Sequence, residues 1–469
     1  MKNMTLRNIA GCCGGTYFGD EASLDAAVTS VAIDSRKVCP GGLFIPLRGE
    51  RADGHDFIPA VMKCGALACL SEQELNGQEG RYILVDSTRK ALRDIAAFYR
   101  RALGIKVVGI TGSVGKTSTK EMIASVLKEK FHVHKTEGNF NNEIGLPLTV
   151  FGISEEHEIA VLEMGISDFG EMHRLAEIAV PDICVITNIG LCHLENLGSR
   201  DGILKAKTEA FSHLNEKAVI VLNGDDDKLG TIRQAGGTEP LFYTYKEPFG
   251  TYGAESAAVY ADGVKLLGMQ GVRMTLHLFG SSEEVFIPLP GGHNIYNALA
   301  AACVGAACGM GIHEICRGIS SVRTIGGRSN FIRGGGITVI DDCYNANPVS
   351  MRASVDVLCG AQGRKIAVLG DMGELGENER KLHEEVGRYA AQNGIDLLYC
   401  TGELSREMAR GALEAKDRQM GVFYFPDKQR LLDAVLGEVQ SGDTVLVKAS
   451  HFMEFSEIVK AFQERNTEL

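Results

Sequence analysis

The sequence predicts an α/β protein of three domains built on largely parallel sheets, and three observations carry that prediction. Short apolar runs alternate with helical stretches through most of the 469 residues, which is the rhythm of sheets wound between helices. One of these runs, residues 106–110, ends in a glycine-rich turn that carries Gly-Lys-Thr and leads into a helix. The texture then changes twice, at an alternating stretch from Val272 and at a second series of apolar runs after Gly326.

The elements follow in order. In residues 1–104, runs such as Gly42-Leu-Phe-Ile-Pro-Leu47 and Ala66-Leu-Ala-Cys-Leu70, punctuated by glycine and proline, predict a small α/β domain. Residues 105–325 form the central domain, with strands expected at 106–110, 159–164, 182–189 and 218–222. Behind the glycine-rich turn Met122, Ile123, Val126 and Leu127 fall at helical spacing. Val272, Met274, Leu276 and Leu278 alternate with polar residues, and Gly280-Ser-Ser282 turns the chain toward residues 285–289. That pattern predicts an antiparallel hairpin added to the parallel sheet. Residues 326–469, with strands expected at 337–340, 365–369, 397–400 and 444–447, read as a Rossmann-like C-terminal domain.

Composition excludes several classes of function. Lys and Arg total 48 against 60 Asp and Glu, a net charge of -12, which disfavours a surface devoted to nucleic acid phosphates. The 13 cysteines contain no C-x-x-C pair, so neither a zinc site nor a disulfide framework is indicated, and a reducing cytoplasm fits. No apolar stretch has the length of a membrane span, and no leader pattern opens the chain. A cytoplasmic protein, a monomer in the simplest reading, is expected.

The chemistry begins at Gly109, Ile110, Thr111, Gly112, Ser113, Val114, Gly115, Lys116 and Thr117. Glycines at a strand-to-helix turn let backbone N–H groups close on phosphate oxygens, Lys116 adds a point charge, and Thr117 offers a hydroxyl to Mg²⁺. The common G-x-x-x-x-G-K-[ST] spacing would place glycine where this chain has Ile110. An ordinary glycine-rich βα turn is the plainer reading, yet Gly-Lys-Thr at this junction points to a P-loop ATPase domain. Glu163, closing an apolar run, stands where a neighbouring strand would bring a metal-binding carboxylate to the same crevice. It could instead cap the next helix.

The variant loop, together with Gly138-Asn-Phe-Asn-Asn-Glu-Ile-Gly145, Glu163-Met-Gly165, Asn188-Ile-Gly-Leu-Cys-His-Leu-Glu195 and Gly292-His-Asn-Ile-Tyr-Asn297, resembles the Mur ligases in the same order along all three domains. Asp341-Asp-Cys-Tyr-Asn-Ala-Asn-Pro348 and Gly370-Asp-Met-Gly-Glu-Leu-Gly376 resemble the type that adds D-alanyl-D-alanine to UDP-N-acetylmuramoyl-tripeptide. The resemblance implies an ATP-dependent ligase that makes an acyl phosphate, and then the pentapeptide precursor of peptidoglycan, with ADP and phosphate released. Its partners are those small molecules, with no nucleic acid and no membrane insertion.

The resemblance also assigns roles. Lys116, Lys207, His193 and Arg328 are its candidates for the reacting centre, and Thr117, Glu163, His193 and Lys207 for holding two Mg²⁺ ions. Asn294 and Asn297 correspond to adenine-binding positions, with helix capping by Asn294 as the structural alternative. Arg328 and Asn345 are expected to reach ATP from the far side. Asp34, Ser35 and Arg36 resemble part of a UDP-sugar-binding domain. Asn139, Asn141 and Asn142, with Asp342, Tyr344 and Asn347, complete the substrate candidates, and Lys448-Ala-Ser-His451 is a further strand end facing the incoming dipeptide.

Lys207 can also be read without the family. Ile203, Lys207 and Phe211 are each four residues apart, hence on one helix face, while Lys205 points away. Desolvation on an apolar face disfavours the ammonium, and a neutral amine can take up carbon dioxide as a carbamate; the family uses a carbamylated lysine here. A snorkelling lysine on a half-buried helix is the alternative. Two other functions compete. A folylpolyglutamate synthetase-like ligase is disfavoured by the extra N-terminal domain, and a P-loop switch ATPase by the absence of Asn-Lys-x-Asp.

Overall fold

Among the described residues three sheets divide the chain, of five, nine and six strands. The computed structural model describes residues 1–50, 52–75, 80–245, 258–324, 326–415 and 420–468; residue 325, at the expected second domain boundary, lies outside them. The first sheet runs in the order Thr16–Phe18, Tyr82–Leu84, Ala68–Ser71, Leu43–Phe44, Val31–Ala32, parallel except at its first pair.

The helix Thr88–Leu103 leaves this sheet for the next. Ser87 caps it by accepting from Lys90 N, and Gly104 ends it at φ 67. Its buried face, Leu92, Ile95, Ala96, Tyr99 and Leu103, packs against the helices Gly145–Phe151 and Glu171–Ala179 of the central domain. Tyr99 donates its hydroxyl to Ile153 O at 2.7 Å, and the buried Arg100 guanidinium donates to Ala179 O and Val180 O at 2.7 and 2.8 Å. A cation on the last carbonyls of Glu171–Ala179 suits the negative end of that helix. One apolar core therefore runs without a break from Met4 to Leu229.

The central sheet is mixed, in the order Ser281–Ile287, Val272–Leu278, Val259–Leu266, Leu241–Thr244, Val219–Asn223, Ile183–Ile186, Lys106–Thr111, Ile159–Glu163, Val133–Lys135. Lys106–Thr111 lies in the middle of its parallel part, between Ile159–Glu163 and Ile183–Ile186. Loops after these strands therefore open onto one crevice. The expected strand at 182–189 stops at Ile186, because Thr187 and Asn188 turn their polar groups onto the glycine-rich loop. The hairpin exists, but its turn is Phe279–Gly280, both left-handed at φ 47 and 86, so Ser281 and Ser282 already belong to the second strand.

The third sheet runs Asn330–Gly334, Ile337–Asp341, Thr444–Lys448, Lys365–Gly370, Leu397–Thr401, Gly421–Phe425, parallel apart from its first strand. It has its own apolar layers on both faces, and among the described residues only Leu191 and Met269 of the central domain join them. No helix among the described residues is long and apolar enough to cross a membrane.

Candidate active site between the central and C-terminal domains

A cavity of about 570 Å³ opens where the central sheet faces the C-terminal one, lined from Ser113 to Ser118 on one side and by Arg328, Tyr344, Asn345 and Lys448 on the other. The glycine-rich loop forms its floor. Gly112 has φ 147, and a Cβ there would sit 1.9 Å from Thr187 Oγ1; Gly115 has φ 81 and starts the helix Lys116–Leu127. Both positions require glycine.

The loop is held from behind. Asn188 accepts from Ser113 N through its carbonyl and from Val114 N through Oδ1, both at 3.0 Å, and donates Nδ2 to Val114 O at 2.8 Å. The Ser113 and Val114 N–H groups are thus already used, and the orphan N–H groups at the start of Lys116–Leu127 remain to meet an anion. Gly109, Ile110 and Thr111 are strand residues, with Ile110 and Thr111 fully buried and Gly109 packed under Met164 and Pro181. The expected cradle of 109–117 therefore narrows to the turn and first helical residues, because a strand interior cannot present its backbone to a ligand. Lys116 Nζ folds back to Gly112 O at 2.9 Å.

Glu163 is 1% exposed and lies at the end of its strand, as expected. It caps no helix. Thr117 Oγ1 donates to its Oε2 and Asn141 Nδ2 to its Oε1, each at 2.8 Å, while Lys120 Nζ stands 3.9 Å from Oε2. Lys120, unremarked in the sequence, is itself 1% exposed and donates to Thr136 O at 2.6 Å. These oxygen donors at one point suit a hard divalent cation.

His193 lines the cavity on a left-handed turn, φ 50. Lys207 is inward, as the periodicity predicted. It is fully buried, and its Nζ has no hydrogen-bond partner in the structure. Burial first, then the Lys116 charge, pushes its ammonium down to about 7, with the Cys192 thiol acting weakly the other way. The snorkelling alternative fails, since no part of Lys207 reaches solvent. Lys207 is not itself a wall of the large cavity.

Asn297 reaches this cavity, and Asn294 a smaller one beside it with Ser118, His293 and Arg328. Thr119 Oγ1 donates to Asn297 Oδ1 at 2.8 Å, Asn297 Nδ2 to Asn294 Oδ1 at 2.9 Å, and Asn294 Nδ2 to Pro290 O at 2.9 Å. Asn294 lies inside the helix His293–Ala307 and caps nothing, since the N-cap position is Gly292.

From the C-terminal side Arg328 stacks over the Tyr344 ring at 4.1 Å, a flat pairing that suits a guanidinium. Asn345 faces the cavity with Oδ1 turned to Ala346 N. Asp342 and Asn347, expected to touch substrate, are also structural. Asp342 accepts from Ser329 N at 2.9 Å, Ser354 Oγ at 2.5 Å and Lys448 Nζ at 2.5 Å, and Asn347 caps the helix Pro348–Cys359. Lys448 is a buried partner of Asp342 rather than part of a surface loop.

The structure does not bring every candidate together. Asp34 and Arg36 pair with each other in the 3₁₀ turn Ser35–Lys37 of the first sheet's loops, and neither they nor Ser35 line the cavity. Asn139 is exposed outside it, whereas Asn141 and Asn142 line it. Residues the sequence reading missed include Asn188, Asn223, Asp225, Asp226 and Tyr296, all in the cavity wall. Asn223-Gly-Asp-Asp-Asp227 ends a parallel strand, and the crevice rule could have found it.

Three family models match in series: Mur ligase family, catalytic domain, at residues 27–100; Mur ligase middle domain at 110–305; and Mur ligase, glutamate ligase domain, at 327–451. The chain is 40% identical to the UDP-N-acetylmuramoyl-tripeptide--D-alanyl-D-alanine ligase of Bacillus subtilis, with 98% of each chain covered. It is 34% identical to the protein of that name in Escherichia coli, with 100% of each covered. Among solved structures it superposes on MurF of Acinetobacter baumannii with a TM-score of 0.86 and 31% identity over 98% of both chains. The MurF ligase of Thermotoga maritima in complex with ADP gives 0.81 and 30%, over 94% of this chain and 98% of that one.

Proposed function

Because this chain belongs to the Mur ligase family, we propose that it is the ATP-dependent ligase that joins D-alanyl-D-alanine to UDP-N-acetylmuramoyl-tripeptide, giving the pentapeptide precursor with ADP and phosphate. The observation that carries the reading is the single cavity walled by the phosphate loop on one side and by Arg328, Asn345 and Lys448 on the other. Domains of 1–104, 105–325 and 326–469 follow, with UDP-sugar recognition assigned to the first through Asp34, Ser35 and Arg36. We place the enzyme in the cytoplasm as a monomer, in keeping with 13 cysteines that contain no C-x-x-C pair.

A carboxylate resists attack by an amine until one of its oxygens becomes a leaving group. Transfer of the γ-phosphoryl group of ATP to the tripeptide carboxylate meets that need, and the dipeptide amine then expels phosphate. Two anions must meet in the first step, so fixed cations have to face them. Lys116 leaves Gly112 O for the phosphates, and Arg328, held flat by Tyr344, approaches from the other domain. Asn294 and Asn297, locked to Thr119 and Pro290, form a rigid edge for the adenine. Asn141 and Asn142 border the acceptor, and Asp342 acts by fixing Lys448.

The donors fit Mg²⁺ at two places. Thr117 and Glu163 converge with the Lys120 ammonium 3.9 Å from the carboxylate, and Lys207 is a buried amine with no partner, suited to carbamylation; we assign it, with His193, to a second ion. Bound Mg²⁺ would offset the charge of the two meeting anions. The test is mass spectrometry of the product formed from ATP, UDP-N-acetylmuramoyl-tripeptide and D-alanyl-D-alanine. The expected mass is the sum of acceptor and dipeptide less water; ADP without that product would sink the reading.

A further inference from the structure

The loop that follows the strand Lys365–Gly370 crosses from the C-terminal domain to the His193 turn. Glu374 Oε2 lies 2.5 Å from His193 Nδ1, and the Glu374 carbonyl accepts from Leu194 N at 3.2 Å. Gly376 lies against Glu195, and Leu191 packs onto the C-terminal core. Both residues of the pair hold left-handed backbone without being glycine, at φ 50 and 61, a strained conformation for a residue with a side chain.

Stability does not account for this arrangement. The Glu374 side chain is 58% exposed, and a polar contact in that setting contributes little to stability. Two strained residues, one from each domain, meet at the imidazole that lines the cavity. Nδ1 of His193 is buried with no hydrogen bond formed, and the Glu374 carboxylate is what faces it; a carboxylate behind an imidazole both orients the ring and makes its other nitrogen a better donor to a cation.

Resting on the proposed role of His193, we infer that Glu374 is a positioning residue: it carries the docking of the C-terminal domain into the orientation of His193. The second cation site is complete only when Glu374 is in place. This makes the histidine of one domain dependent on a carboxylate of the other, so the site cannot be loaded fully while the domains stand apart.

The test is Mn²⁺ binding, followed by electron paramagnetic resonance, to full-length protein holding a non-hydrolysable ATP analogue. Glu374→Ala and the equal-sized Glu374→Gln should raise the dissociation constant of the weaker Mn²⁺ site roughly tenfold or more, and Glu374→Asp should recover part of the loss. Glu377→Gln, which removes an exposed charge from the same loop, should change nothing. In turnover, kcat should fall while KM for ATP holds. Wild-type Mn²⁺ affinity in Glu374→Ala and Glu374→Gln, or an equal loss in Glu377→Gln, overturns the inference. Neither acceptor nor dipeptide is needed for the Mn²⁺ measurement, so a failed product assay would count against the proposed reaction and not against Glu374.

Discussion

Lys120 and Lys207 are two lysines with the same burial, 1% and 0% exposed, and opposite surroundings. Lys120 donates to Thr136 O and pairs with Glu121 at 3.2 Å, with Glu163 3.9 Å away. Lys207 has no partner, and burial takes its ammonium down to about 7. A protein that can satisfy a buried ammonium on one helix and leaves the next one bare has separated two uses of the residue. Lys120 is tied to the carbonyl and carboxylates around it; Lys207 is an amine kept available for chemistry.

That contrast can be broken by experiment, beginning with the largest effect. Lys120→Met should cost about 3–5 kcal/mol of unfolding free energy in denaturant titration, because it takes the cation away from the buried Glu163 carboxylate; a cost under 1 kcal/mol would mean Lys120 is no structural ion. Lys207→Met should lower kcat by roughly 10²–10³-fold, read as product formation, with bicarbonate raising wild-type activity and leaving the variant unmoved. Full activity in the variant would remove Lys207 from the site.

The same variant should gain stability. Between about 7 and 10.5 the unfolded chain holds a proton on residue 207 that the folded chain has released, so wild-type stability falls as pH drops through that window. Lys207→Met should therefore be the more stable form at pH 7, by on the order of 2 kcal/mol, with the advantage shrinking toward pH 10.5. An advantage that grows with pH would reverse the assignment. The smallest effect sets the baseline. Lys90, 65% exposed and 2.6 Å from Asp94, should cost no more than about 0.5 kcal/mol on replacement by Ala, showing that burial and not pairing as such makes Lys120 matter.

The two lysines were not equally legible in the sequence. Ile203, Lys207 and Phe211 stand two successive four-residue spacings apart, so the inward direction of Lys207 was predictable, although the α-helix ends at Thr208 and Phe211 lies in the 3₁₀ turn after it. Lys120 lies in a helix too, but its partners Thr136 and Glu163 arrive from just past one strand and from the end of another, and no local pattern announces them. Asp342 was only half legible for the same reason: a carboxylate just past a strand end was expected in the cavity, and it lines it, but its partner Lys448 lies 106 residues on, where no local pattern points. Glu163 at its strand end was readable because sheet topology alone dictates where such a residue points. Asn188 was quoted within a motif, yet its grip on Val114 depends on neighbouring strands being adjacent in space and not in sequence.

The unbroken core from Met4 to Leu229, set against the separate layers of the C-terminal sheet, divides the molecule into two cooperative blocks rather than three. Heating should melt residues 326–469 apart from everything before them, giving two calorimetric transitions where two-state behaviour fails. A nucleotide gripped by both blocks should draw those transitions together, since it stabilises each only while the other is folded. The wall between the first and second domains would leave no thermal trace at all.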